Sequence, residues 1–395
     1  MYMPVVMWGF WVFVFGLMVG SFLNVLIARL PYEKSIVWPS SRCFNCYARI
    51  RLTDNLPIIG YLRLRGRCRQ CGVAFSSRYL WVEIGTGLAF LGLFVAEVLL
   101  NWHGIAANKV NFFTANMAAP PGRFWAMFAY HAFLLSCLIA AAVIDAEHRI
   151  IPPLIPYTGL AVGLVGGALM PWPWPNSPEA GFIHVPGLVA DAPWSRPEFV
   201  GLIPAGVQLW PFWGPTFDFA PPGSWQLGLL TSLTGALVGS LVIRVIKWLF
   251  ETGFGRDALG LGDADLLMMT GAFLGWQIAV FSLFTGSVVA IVLKALAYVY
   301  SLLTAEETLP APAGTPAAEV PPAADGRELP FGPGLAIGVV VTWFAWPWLG
   351  PRAQSAFFDY FLMGLSVGIM CVGILASGLL LRRPETDPAE SGAKV

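Results

Sequence analysis

Runs of about 20 consecutive apolar residues dominate the chain, and each is the length a helix needs to cross the ~30 Å hydrocarbon core of a bilayer. Nine such stretches can be read off, near 4–28, 80–100, 124–144, 153–170, 226–250, 264–277, 278–300, 334–350 and 357–381. Composition agrees: 57% of the 395 residues are hydrophobic and only 12% charged, against about 25% charged in soluble domains. The expected fold class is therefore all-α, a polytopic transmembrane helical bundle of about eight to nine spans. The first stretch follows no basic n-region and ends on no small-residue cleavage site, so it reads as a retained span. The division between the sixth and seventh stretches rests on little, because 264–277 is short for a bilayer and no charge follows Asp265 before Lys294.

Formal net charge is zero, yet the 23 basic residues are unevenly placed: ten lie between Arg29 and Arg78, where the only acids are Glu33 and Asp54. Placing that segment on the cytoplasmic side puts 19 Lys and Arg inside and four outside (Lys109, Arg123, Arg196 and Arg352), as the positive-inside rule requires. The organisation expected is a first span (1–28), a cytoplasmic segment (29–79), a membrane core (80–300) with an outer loop at 171–225, a linker (301–328) and C-terminal spans with a tail (329–395). The outer loop is rich in Pro, Trp and Gly, and 304–328 reads as a flexible Pro/Ala linker. No internal repeat stands out.

Within the basic segment, Cys43 and Cys46 in "CFNC" precede Cys68 and Cys71 in "CRQC". Two Cys-x-x-Cys pairs so separated supply four thiolates for a tetrahedral zinc. Iron is the other metal such a set takes; two short disulfides are disfavoured on a reducing side. Four thiolates around Zn²⁺ leave a charge of about −2, which the surrounding arginines offset. With every position filled by protein, the zinc is structural. Cys137 and Cys371 lie in apolar stretches and read as core.

Two acidic pairs sit at stretch ends: Asp145 and Glu147 in "VIDAEHRIIPP", Asp263 and Asp265 in "GLGDADLL". An aspartate at mid-bilayer costs about 2.5–3.5 kcal/mol on insertion scales, so acids near spans point to function. On the expected topology both pairs lie at the cytoplasmic edge. Residues two apart on a helix face about 200° from each other, so a carboxylate dyad has to join one member of each pair. Two carboxylates about 3 Å apart share one proton; the ionised one activates water and the protonated one polarises a carbonyl, as in aspartic proteases. Gly260 and Gly262 leave room for a backbone to approach. The bland alternative is that the acids mark span ends, paired with Arg149, Arg256 or Lys247.

Together these motifs resemble the type IV prepilin peptidases, membrane aspartic proteases of the Gly-x-Gly-Asp class. "GLMVGSFLNVLIARLP" (16–31), "TDNLPIIGYLRLRGRCRQCG" (53–72), "SSRYLWVEIGTG" (76–87), "VIDAEHRIIP" (143–152), "LGLGDADLLMMTGAFLGW" (259–276) and "LPFGPGLAIG" (329–338) follow the family's order. The resemblance implies catalytic aspartates at Asp145 and Asp263, and prepilin or pseudopilin substrates cut on the cytoplasmic side of a bacterial inner membrane. It also implies methylation of the new N-terminal amine by S-adenosylmethionine, an activity the family ties to the zinc segment. Asn24, Glu33 and Glu83 are the polar positions there that could take part, though each also reads as a packing or helix-end residue. The chain shows no Gly-x-Gly-x-x-Gly fingerprint, so the donor-binding residues are not assigned. The lipid bilayer is the other expected partner, and nucleic acid is not expected.

The chain departs from that family near the dyad, first at Pro153, where the family often has an acid, and again beyond the second aspartate. A lysine usually stands two residues beyond the second catalytic aspartate, and here the position is Asp265. Two other functions fit the residues: a peptidase that does not methylate, and a proton-coupled transporter with Asp145 and Asp263 as a relay. A relay belongs near the midplane on broken helices, not at one edge.

Overall fold

The computed structural model of the chain describes residues 3–100, 102–103, 122–170, 219–220, 224–255, 260–304, 331–358 and 360–381. Among them there is no β-strand, only two isolated bridges. The helices are α1 (Met3–Arg29), α2 (Ile59–Arg63), α3 (Arg78–Leu93), α4 (Gly122–His148), α5 (Leu154–Leu169), α6 (Trp225–Phe254), α7 (Leu261–Leu274), α8 (Trp276–Thr304), α9 (Phe331–Phe358) and α10 (Tyr360–Leu381). All but the short α2 fall on the nine apolar stretches. Six are long and apolar enough to cross a membrane: Val5–Tyr32, Arg78–Leu99, Phe124–His148, Trp225–Phe254, Trp276–Tyr300 and Phe331–Leu349. Shorter apolar helices run over Leu154–Leu169 and Gly364–Ser377. Almost all of the 171–225 loop and the 304–328 linker, together with Arg256, lie outside the described residues.

The sixth stretch is the one whose character changes. Helix α7 has 14 residues, about 21 Å at 1.5 Å per residue, too short for a ~30 Å core. Eleven of its residues are buried, on every face. It is an inner helix of the bundle, surrounded by protein. It ends at Gly275, whose φ of 84° lies where L side chains rarely go, and α8 begins at the next residue. The sequence places that division two residues too late. At the other end of the core, α9 continues to Phe358 through Pro347 and Pro351, filling the expected gap before α10.

Small residues bring the neighbours onto α7. A Cβ on Gly235 of α6 would lie 2.0 Å from the Gly271 carbonyl oxygen, and one on Gly271 would lie 2.0 Å from the Gly235 oxygen. One turn on, a Cβ at Gly239 would lie 2.4 Å from the Leu267 oxygen. On the opposite side, α5 offers Gly159 to Met269 and Gly163 to Ala272. Backbone-to-backbone approach of this kind replaces hydrophobic driving force where lipid tails are as apolar as leucine.

Helices α1 and α3 meet in the same way, Gly16 against Gly87 and Gly20 against the Glu83 backbone. Beyond Leu93, α3 widens into a π-turn (Phe94–Leu99), and Glu97 there meets His131 of α4 at 2.6 Å, both buried. The segment between α1 and α3 covers one end of this pair. Two contacts fasten it to the C-terminal end of α4: Arg78 pairs with Glu147, and the Tyr32 and His148 rings meet edge-on at 5.5 Å.

Candidate functional site

Helix α4 stops where the sequence says it must. Arg149 takes a left-handed φ of 56° and its N–H closes on the Asp145 carbonyl at 2.9 Å, a C-terminal cap, and Pro152 and Pro153 prevent continuation. Asp145 thus lies within the last turn. Helix α7 starts at Gly260, in extended conformation, and Asp263 is in its first turn, where the helix dipole is positive. A Cβ on Gly262 would lie 2.9 Å from Ile151 Cβ, so the chain leaving α4 packs directly on the start of α7. The two aspartates, each 7% exposed, are close enough for the charge of one to be felt at the other.

A third helix end joins them. The backbone N–H of Gly332, in the first turn of α9, donates to Asp145 Oδ2 at 2.9 Å. A Cβ there would lie 2.6 Å from that oxygen. Sequence reasoning quoted the "FGPG" run without giving it a part. Its signal is Gly-Pro in the first helical turn, where proline's missing N–H costs no intrahelical bond, with glycine letting a carboxylate reach the backbone.

The second member of each pair turns away, as the 200° offset requires. Glu147 pairs with Arg78, and Asp265 Oδ1 meets Arg244 Nη2 of α6 at 3.0 Å. Neither arginine was among the expected partners, and Lys247 instead pairs with Glu251 at 3.0 Å. The only sequence sign of Arg244 is that it and Lys247 are the two cations inside an otherwise apolar run. Asp145 and Asp263 lie at helix ends rather than at mid-helix breaks, which does not fit a midplane relay.

The four cysteines converge in the segment beside α1 and α3. Their Sγ atoms lie within 4.8 Å of one another, with Cys43 to Cys71 at 3.8 Å and Cys46 to Cys68 at 3.9 Å. These are far too long for disulfides. Tetrahedral zinc with ~2.3 Å bonds requires sulfur separations of about 3.8 Å, so the donor set and its spacing fit the metal. Each pair sits on the same turn. Cys43 N–H bonds the Ala48 carbonyl and Cys68 N–H the Val73 carbonyl, at 2.9 and 2.8 Å. Tyr47 and Gly72 follow the second cysteines with φ of 56° and 71°. The bridges Arg42–Arg49 and Arg67–Ala74 close the two turns. This is a short local repeat, "RCFNCYA" over "RCRQCGV", where the sequence alone showed no internal repeat. The Val73 N–H, helped by the Asn45 amide, holds the Cys71 thiol down at about 6, and the backbone N–H groups of Cys71 and Gln70 lower Cys68. Both favour the thiolate a metal needs. Nearby, Arg69 pairs with Asp54 and holds its carboxyl below the usual range.

Of the three polar positions tied to this segment, Asn24 and Glu83 are both buried. Glu83 Oε2 accepts the Ile58 N–H at 2.7 Å. Glu33 is exposed, capping the short turn after α1.

Comparison with known proteins agrees with both halves. Residues 14–96 match the bacterial peptidase A24 N-terminal domain, and residues 201–295 match the type IV leader peptidase family. The first match takes in Asn24, Glu83 and all four cysteines; the second takes in Asp263 and stops short of Asp145. Among relatives, the prepilin leader peptidase/N-methyltransferase of Pseudomonas putida is 28% identical over 84% of this chain and 88% of its own length. That of Stutzerimonas stutzeri is 28% identical over 88% and 92%, and that of Myxococcus xanthus 31% over 71% and 62%. No solved structure matches.

Proposed function

The chain belongs to the type IV leader peptidase family, and from that premise we propose that it cleaves the leader from prepilins or pseudopilins and then methylates the new N-terminus. The reading is supported by two buried aspartates at adjoining helix ends, Asp145 in the last turn of α4 and Asp263 in the first turn of α7, with the Gly332 N–H donating to Asp145.

Two such carboxylates hold one proton between them. The ionised member takes a proton from water as the oxygen attacks the scissile carbonyl, while the protonated member donates to that carbonyl's oxygen. The tetrahedral intermediate then collapses, the C–N bond breaks, and the leaving nitrogen takes up a proton. The Gly332 N–H keeps Asp145 oriented through the cycle. General acid–base assistance of this kind is worth roughly 10²–10⁴-fold.

The cysteine segment holds a structural zinc through Cys43, Cys46, Cys68 and Cys71, and S-adenosylmethionine supplies the methyl group when bound. The inner membrane is the natural location for six apolar helices in this family. The end bearing the aspartates and the cysteine segment is the cytoplasmic one, because the Lys and Arg excess lies there.

The test is co-expression with a prepilin carrying a Gly-Phe junction, read by mass spectrometry for leader loss and N-terminal methyl mass. Asp145→Asn and Asp263→Asn should each abolish cleavage while the protein remains inserted and zinc-loaded. Cleavage surviving in either variant would remove that residue from the mechanism.

A further inference from the structure

Helix α9 carries Pro347 inside its run. Proline has no N–H for the carbonyl four residues back, so the Trp343 carbonyl loses its partner within the helix, and the pyrrolidine ring crowds it. Trp343 is 3% exposed and lies in the apolar stretch Phe331–Leu349. At that depth a neighbouring group, not bulk water, has to satisfy a freed carbonyl.

The neighbour is the turn that follows the π-turn of α3. His103 Nε2 meets the Trp343 carbonyl oxygen at 3.1 Å, and because a carbonyl only accepts, that nitrogen carries the proton. Trp102 Nε1 donates to the next carbonyl, that of Phe344, at 2.7 Å. The buried His103 imidazole also stacks on the Trp343 ring, with centroids 5.5 Å apart and planes inclined by 10°. Two consecutive side chains thus fill the break in a helix 240 residues away.

This turn is itself tied down. The Trp102 N–H bonds the Ala96 carbonyl at 2.8 Å, and Glu97, next along, is fastened to His131 of α4. His131 meets the Trp343 ring edge-on, with centroids 4.8 Å apart. Helices α4 and α9 therefore meet at two levels, here and where Gly332 donates to Asp145. Between those levels Gly338 pins α9 to α8, for a Cβ there would lie 2.4 Å from the Gly286 nitrogen. Gly338 is nearly midway between Gly332 and Trp343, so a shift of one end tilts the other by a similar amount.

We propose that His103, seated with Trp102 in the Pro347 break, is a positioning residue for the peptidase: it holds the half of α9 remote from the aspartates and thereby keeps the Gly332 N–H on Asp145. The proposal rests on the peptidase reading above.

The test compares steady-state cleavage of a synthetic prepilin by the full zinc-loaded chain in detergent, for wild type, His103→Ala, His103→Gln and Trp102→Phe, with Gly332→Ala as a second background. Glutamine keeps an N–H near the place of Nε2, and phenylalanine keeps a ring at position 102 while removing its donor. His103→Ala should lower kcat about tenfold or more with KM little changed, as a misplacement of about 1 Å would. His103→Gln should recover most of that loss. In the Gly332→Ala background His103→Ala should add little, because the geometry it protects is already lost. A merely structural role would lower thermal stability but leave kcat per folded molecule unchanged, or would multiply in full with Gly332→Ala; either result overturns the proposal and leaves the peptidase standing. Should His103→Ala fail to insert, Trp102→Phe decides by the same cycle. A wild type that leaves the prepilin uncut would overturn the peptidase reading and this role with it.

Discussion

Arg244 of α6 reaches across to Asp265 of α7, Nη2 to Oδ1, at 3.0 Å, two residues beyond Asp263. The resembling family usually keeps a lysine at the position of Asp265, so the sequence reads as one positive charge short and one negative charge over. In three dimensions the cation comes from the neighbouring helix, and the pair is locally neutral.

Removing Arg244 leaves the Asp265 carboxylate, two residues from Asp263 on the same helix, without its cation, and added negative charge disfavours ionisation of neighbouring carboxyls. Arg244→Met should therefore move the pH–rate profile of leader cleavage upward. The Arg244 side chain is 46% exposed, so screening keeps the displacement small. Adding Asp265→Asn to the variant should bring the profile back. Single-turnover cleavage of a synthetic prepilin across pH is the measurement, and an unmoved profile in Arg244→Met would mean the pair is merely structural.

Gly332 carries a sharper expectation, because its N–H reaches Asp145 only with no side chain in the way. Alanine keeps the N–H but places a methyl 2.6 Å from Asp145 Oδ2, closer than any real contact, so the carboxylate has to turn out of its position. A misplacement of about 1 Å can cost roughly 10²-fold. Gly332→Ala should lower kcat by that order with little change in KM, zinc content or membrane insertion.

Much of the architecture was legible because the sequence punctuates it chemically. Apolar runs give the helices, Pro152 and Pro153 end α4, and Gly260 opens α7. Four cysteines at metal-ligand spacing mark their site, whatever encloses them. What was hidden depends on partners distant in sequence. Arg78 and Glu147 are 69 residues apart, Arg244 and Asp265 are 21 apart, and nothing in either local pattern names the other. The Gly332 N–H has no side-chain identity to read. Helix α7 reads as an apolar span, but its burial on all faces is set by the glycines of α5 and α6, which bring those helices against it.

That burial leads to a prediction about assembly. Gly271→Val would place a branched side chain where a single Cβ already lies 2.0 Å from the Gly235 oxygen. Helices α6 and α7 have to separate, and overpacking of this kind costs about 1–3 kcal/mol or more where backbone cannot move. The variant should show lowered thermal stability in detergent together with lost cleavage. Met268→Ala, on the partly exposed side of the same helix, should do much less. Equal losses in both would mean that α7 is not seated by its glycine contacts.

The cysteine segment offers the last expectation, because metal loss and thiol loss should have the same consequence. Between Leu30 and Ser77 the described helical turns are short, at Leu30–Tyr32, Leu52–Asp54 and Ile59–Arg63, and the two cysteine turns are held otherwise by one bridge and a few backbone hydrogen bonds each. So small a unit should need the proposed zinc to fold. The four sulfurs form one set, so replacing any one of them should reduce zinc from one ion per chain towards none. Cys43→Ser and Cys68→Ser, from opposite turns, should be indistinguishable from each other and from chelator-treated wild type. Each should open the 30–77 segment to proteolysis, while α4, α7 and α9, which bring Asp145, Asp263 and Gly332 together through their own contacts, stay resistant. Elemental analysis with limited proteolysis reads all of this on one preparation. Zinc retained at full stoichiometry in either serine variant would show that the four thiols do not act as a single metal site.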